Sequence, residues 1–150
     1  DYIDLGSSFL SNKSAFTIEG WVKFNIADVG SRMSLFGQND VIEFFLDTNI
    51  IQLWTPGGGS VSTPLTAAIG NNAWHHIAAT GNGTNIKIYI DGGLVGTGGI
   101  STTNYGSSTY NAQIGSGVVD QLTTIGGGFT GQIEQISHGF SLRPCAKRIQ

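Results

Sequence analysis

Apolar and polar positions alternate with a period of two along much of this chain. The clearest instance is Ile86-Lys87-Ile88-Tyr89-Ile90-Asp91, where the isoleucines share one face and Lys87, Tyr89 and Asp91 the other, as in a strand with one buried side. Asp91-Gly92 follows. Glycine accepts positive φ without a Cβ clash, so the chain can reverse in two residues and return as Leu94-Val95. Upstream, Asn72 to Thr80 reads as a partner strand, and the three segments predict an antiparallel meander. The same pattern predicts strands near 2–5, 15–25, 32–37, 41–47, 49–54, 60–66, 74–80, 86–91, 94–97, 112–115 and 130–142. Phe16, Ile18, Val22 and Phe24 fall on one side of the first long strand, with Ile42, Phe44 and Leu46 expected in the facing layer of an all-β, two-sheet antiparallel sandwich.

Glycine clusters at Pro56-Gly57-Gly58-Gly59 and Gly126-Gly127-Gly128 mark loops. The second leads into a strand rather than a helix, so it lacks the helix N-terminus that a phosphate cradle uses. From Gly96 to Gly128 the chain is polar and rich in Gly, Ser and Thr, with Ile114, Val118, Val119, Leu122 and Ile125 as its few branched apolar residues. This reads as long rim loops, where a rigid sandwich can carry binding groups.

Composition narrows the picture. The 150 residues include 23 Gly, 3 Trp, 4 Tyr and 8 Phe but only 10 acids and 7 Lys and Arg, which suits one compact domain with many short strands. A chain of this size buries roughly 68–70% of its unfolded surface, enough for a core without disulfides or metal. The lone Cys145 has no partner within the chain, leaving an inert thiol, an intermolecular disulfide or a reactive thiol. No apolar run approaches a membrane span. Arg143, Lys147 and Arg148 crowd the last eight residues, whereas Lys13, Lys23, Arg32 and Lys87 are too scattered for the basic stripe of a nucleic-acid binder. The expected organisation is a domain over 1–143 and a basic tail over 144–150, with Pro144 ending the last strand and the tail either solvated or docked on a neighbouring copy.

Three blocks then carry a resemblance: Phe16-Thr17-Ile18-Glu19-Gly20-Trp21-Val22, Trp74-His75-His76-Ile77-Ala78 with Tyr89-Ile90-Asp91-Gly92, and Phe129-Thr130-Gly131-Gln132-Ile133-Glu134-Gln135-Ile136. In type and order they resemble the concanavalin A-like lectin/glucanase superfamily, in particular its laminin G-like branch. The resemblance implies a jelly roll from residue 2 to about 143, with Trp21 and Trp74 as packed framework residues. Sparse charge, loops rich in Ser, Thr, Asn and Gly, and few strand lysines suit a secreted, extracellular or particle-surface setting, and the opening at Asp1 reads as an excised or processed segment. Asn12-Lys13-Ser14 and Asn82-Gly83-Thr84 are glycosylation sequons.

Some members of that superfamily cleave polysaccharides with acids spaced E-x-D-x-(x)-E on one strand. Here Glu43 and Asp47 share a face but no third acid follows in register. His75 and His76 are adjacent in a strand and so point to opposite faces, and no Ser or Cys sits in a nucleophile elbow. The chain is therefore expected to be non-catalytic. Laminin G-like domains often hold calcium at the rim, and Asp40 and Asn111 stand at corresponding places with oxygen ligands suited to a hard cation, though both also suit turn capping. Where the resemblance has I-D-E, this chain has Ile133-Glu134-Gln135.

A sugar site needs an exposed aromatic beside amides or carboxylates. Trp54, Asn104, Tyr105 and Tyr110 are the candidates, with Trp54 either at the rim or packed and the two tyrosines expected to be exposed. The expected function is a recognition or adhesion module for a glycan or glycoprotein. The alternative is a structural subunit of a surface filament, fibre or virion that self-associates, or sits in a larger parent protein, through its sandwich edges and tail.

Overall fold

A computed structural model describes residues 2–116 and 131–139, and over these the chain is an antiparallel β-sandwich of eleven strands. Strands β1 (Ile3–Ser7), β10 (Asn111–Ile114), β3 (Met33–Gln38), β4 (Ile42–Asp47), β5 (Ile50–Thr55) and β6 (Gly59–Pro64) form one sheet in that order. The second runs β11 (Gln132–Gly139), β2 (Phe16–Lys23), β7 (His75–Gly81), β8 (Ile86–Ile90) and β9 (Gly93–Gly98). The expected strand positions and the two-sheet class hold. Val118 to Ile125, Gly126 to Gly128, the end of the last predicted strand, Cys145 and the basic tail lie outside the described residues.

The period-two reading places the core. In β2 the even positions Phe16, Ile18, Gly20 and Val22 are buried, and the side chains among them face Phe36, Ile42, Phe44 and Leu46 from the other sheet in a single apolar cluster. That cluster also takes Ile77, Ala79, Ile86 and Ile88. The β8–β9 reversal has φ of 49° at Asp91 and 80° at Gly92, with Ile90 paired to Gly93. Two consecutive positive φ values are the signature of the type I′ turn, whose twist matches that of the strands it joins. Asp91 is pinned there: its carboxylate accepts from the backbone N–H of His76 at 2.9 Å and meets His75 Nδ1 at 2.8 Å.

Candidate functional site

Alternation along β5 turns Ile51 and Leu53 into the core, where both are 0% exposed, and leaves the half-buried Trp54 on the outer face. Register then aligns a row across the six-stranded sheet. Asp4 pairs with Gln113, Gln113 with Gly37, Gly37 with Glu43, Glu43 with Trp54 and Trp54 with Ser60. Glu43 is buried on that face. Its carboxylate accepts from Arg32 at 2.7 Å and from the backbone N–H of Asp40 at 2.9 Å. Burial pushes its pKa up, with the Asp40 N–H and Arg32 pulling the other way. The Arg32 guanidinium lies 5.3 Å from the Phe45 ring centroid, covering the next outward residue of β4. The Asn111 amide and then the Gly6 N–H hold the Asp4 carboxyl below its usual range, with a smaller contribution from the Gln113 side chain. Gln113 Oε1 is buried and makes no hydrogen bond among the described residues.

At the end of β5 the chain turns through Pro56 to Gly58 and meets the loop over 101–110. Gly57 N–H donates to Tyr105 O at 3.3 Å. A Cβ on Gly57 would stand 1.9 Å from Asn104 O, so the two loops touch through backbone. Asn104 is exposed, donates through Nδ2 to Asn12 Oδ1 at 3.0 Å, and lies beside the turn that follows Trp54. Tyr105 corrects the expectation from sequence. It is 0% exposed, packs edge-on against Phe16 at 4.9 Å, and accepts from Gly83 N–H at 2.9 Å through its hydroxyl. A ring enclosed this way presents no face to a sugar. It is admitted because Gly58 and Gly81 lack side chains, since a Cβ on either would stand 2.5 to 2.7 Å from Tyr105 atoms. Tyr110 is half-buried, and its carbonyl accepts from Gln38 Nε2 at 3.0 Å. Trp54 and Asn104 are thus brought to one rim, Tyr105 belongs to the core, and Tyr110 lies beside Gln38 at the head of β10.

Trp21 is a second correction. It stands at an odd position of a strand whose even positions are inward, and it is 39% exposed on the outer face of the five-stranded sheet. Its role is not that of a packed framework residue. The parity of Phe16, Ile18 and Val22 already contained this signal.

A family model matches residues 1–137. The chain belongs to the concanavalin A-like lectin/glucanases superfamily. As a superfamily member of laminin G-like type, it resembles several solved structures at low identity. A candidate carbohydrate-binding protein from Bacteroides ovatus is 17% identical with a TM-score of 0.72, covering 95% of this chain and 42% of that one. Domains LG4-5 of the mouse laminin α1 chain are 10% identical with a TM-score of 0.62, covering 93% and 39%. Domain 4 of an extracellular GH43 arabinanase from Geobacillus stearothermophilus, in complex with arabinotriose, is 17% identical with a TM-score of 0.57, covering 91% and 65%. The chain thus spans about two fifths of the first two. No curated protein sequence matches it.

For this superfamily member, the two residues expected to hold calcium are neighbours in register, because Ala112 pairs with Gln38 and so sets Asn111 one step from Asn39 and Asp40. Their side chains are not turned on a common point. Asn111 Nδ2 donates to Asp4 at 2.8 Å, while the exposed Asp40 carboxylate accepts from Asn39 Nδ2 at 3.3 Å. Among the described residues no three His, Cys, Asp or Glu side chains gather. One exposed carboxylate falls short of the six to eight oxygens calcium takes. The acids that could have formed a glycosidase pair are otherwise engaged. Glu43 is held by Arg32, and Asp47 accepts from Thr48 Oγ1 at 3.3 Å.

Proposed function

We propose that this domain is a non-catalytic recognition module whose ligand is a glycan or glycoprotein, working in an extracellular or particle-surface setting. The observation that carries the proposal is the outward-facing, half-buried Trp54, one strand in from the β6 end of its row. An indole on the outer face of a sheet offers an apolar plate to one side of a sugar ring. Asn104, on the adjoining loop, adds an exposed amide. The likeness to a domain complexed with arabinotriose and to a candidate carbohydrate-binding protein supports this reading. Among the described residues, no helix is long and apolar enough to cross a membrane.

The test is a glycan array probed with the purified domain, with calcium and with a chelator, alongside Trp54→Ala. Binding that falls about tenfold in Trp54→Ala supports the proposal, because removing one aromatic plate from beneath a sugar ring has an effect of that order. A signal present only with calcium and lost in Asp40→Ala would add the ion to the site. Silence under both conditions overturns the glycan reading. It would favour the structural-subunit alternative, which the exposed Ile3 on edge strand β1 and the exposed Leu94 and Val95 on edge strand β9 support.

A further inference from the structure

We infer a second saccharide-binding surface on the outer face of the five-stranded sheet, centred on Trp21 and Tyr89 and suited to an extended, uncharged glycan segment. It extends the glycan reading to the opposite face of the sandwich, and the two sites can fail separately.

Register builds the surface. Trp21 pairs with His76 across β2 and β7, and in the next outward row Glu19 pairs with Ala78 and Ala78 with Tyr89. Trp21 lies in an interior strand, flanked by β11 and β7, yet remains 39% exposed. An exposed indole in the middle of a sheet is not explained by the core, which takes the even positions of the same strand. It has an aromatic neighbour. The His76 ring stands T-shaped to it at 5.5 Å, and His76 Nε2 is 3.7 Å from Glu19 Oε2. Trp21 and its polar neighbours are therefore oriented together, with imidazole and carboxylate at the border of an aromatic plate.

Chemistry selects the ligand. The face couples an apolar plate with hydrogen-bonding groups of both kinds, matching a pyranose, which has apolar C–H faces and a belt of hydroxyls. Its carboxylates outnumber its lysines, with Glu19, Glu134 and Asp91 against Lys23 and Lys87 on that face, so nothing favours an anionic polymer. Trp21 and Tyr89 are separated by two strand spacings and one row, about 12 Å from sheet geometry, with only the methyl of Ala78 between Glu19 and Tyr89. That span accommodates two linked sugar rings.

The experiment is affinity electrophoresis of the purified domain through gels cast with xylan, mixed-linkage β-glucan or galactomannan, with sedimentation equilibrium in parallel. In at least one gel, Trp21→Ala and Tyr89→Ala should each weaken retardation about tenfold while Trp21→Phe keeps part of it. Tyr89→Ala keeps the inference testable if Trp21→Ala folds poorly. Retardation abolished by Trp54→Ala but untouched by the Trp21 and Tyr89 variants overturns this surface and leaves the first site standing. An unretarded wild type overturns both. A Trp21→Ala variant that changes only the sedimenting mass overturns the inference in favour of a second copy of this chain on that face.

Discussion

Replacing Tyr105 separates a ligand-binding role from that of a core keystone. The ring is 0% exposed, meets Phe16 edge-on at 4.9 Å, and its hydroxyl accepts from Gly83 N–H at 2.9 Å. Tyr105→Phe keeps the ring and removes the acceptor, leaving that N–H unsatisfied, and should cost about 1–2 kcal/mol. In a domain of this size such a loss lowers Tm by roughly 2–8 °C. Tyr105→Ala empties the site and should cost about 4–5 kcal/mol, since aromatic truncations in cores cost about 3–5 and the edge-on pair with Phe16 disappears as well. That is a large share of an ordinary stability of about 5–15 kcal/mol. Urea unfolding followed by tryptophan fluorescence measures both, while glycan affinity per folded molecule is measured on Tyr105→Phe. The expected result is reduced stability with unchanged affinity. Unchanged stability with weakened binding would refute the burial argument and restore Tyr105 to the ligand site.

Stability should bend with pH in two opposed senses. The Asp91 carboxyl is held below its usual range, first by the His75 side chain and then by the His76 N–H, so its stabilisation is present above about pH 4 and is lost as pH falls through its folded value. Asp91→Asn, which tolerates the positive φ, should therefore destabilise at pH 6, and the difference should shrink as pH falls below about 4, read by urea midpoint. Glu43 is raised by burial, so the native state holds its proton more tightly and stability declines as pH rises from about 4.3 through the folded value. Glu43→Gln should flatten that decline, and an unaltered slope would contradict the assignment. Gly57→Ala should cost about 1–3 kcal/mol and speed hydrogen exchange at the Gly57 amide, because its Cβ would meet the Asn104 carbonyl at 1.9 Å.

The strands were legible because most follow a period of two, and Asp91-Gly92 specified its own turn. The core face of β2 was equally legible, and with it, by parity, the outward position of Trp21. The resemblance to framework residues drew the reading of Trp21 the other way. Tyr105 was illegible for a different reason. It lies in a polar loop with no periodicity, and its burial depends on Gly58 and Gly81, residues distant in sequence whose missing side chains make its niche. Trp54 lay between, since alternation gave two faces and only the register of four neighbouring strands showed which one it occupies. Asp40 and Asn111 were read from sequence as a facing pair, but Asp4, which takes the Asn111 amide, belongs to a strand near the other end of the chain.

That last pairing has a kinetic side. Strands β3 to β6 and β7 to β9 are joined by short connections and pair in sequence order, so each group can form as soon as its own residues are available. β1 must wait, because Ile3 pairs with Ile114, and β2 meets β11 only when Ile133 arrives opposite Val22. Both sheets are thus closed by strands from the two ends of the described chain, and the loop closure must be made before those pairings reward it. On a ribosome, the first two strands would stay unpaired on these sides until nearly the whole domain had emerged. The apolar stripe of β2 would then be the segment most in need of shelter during synthesis, and the pace of folding would be set by the meeting of distant strands rather than by the meander that makes the domain recognisable.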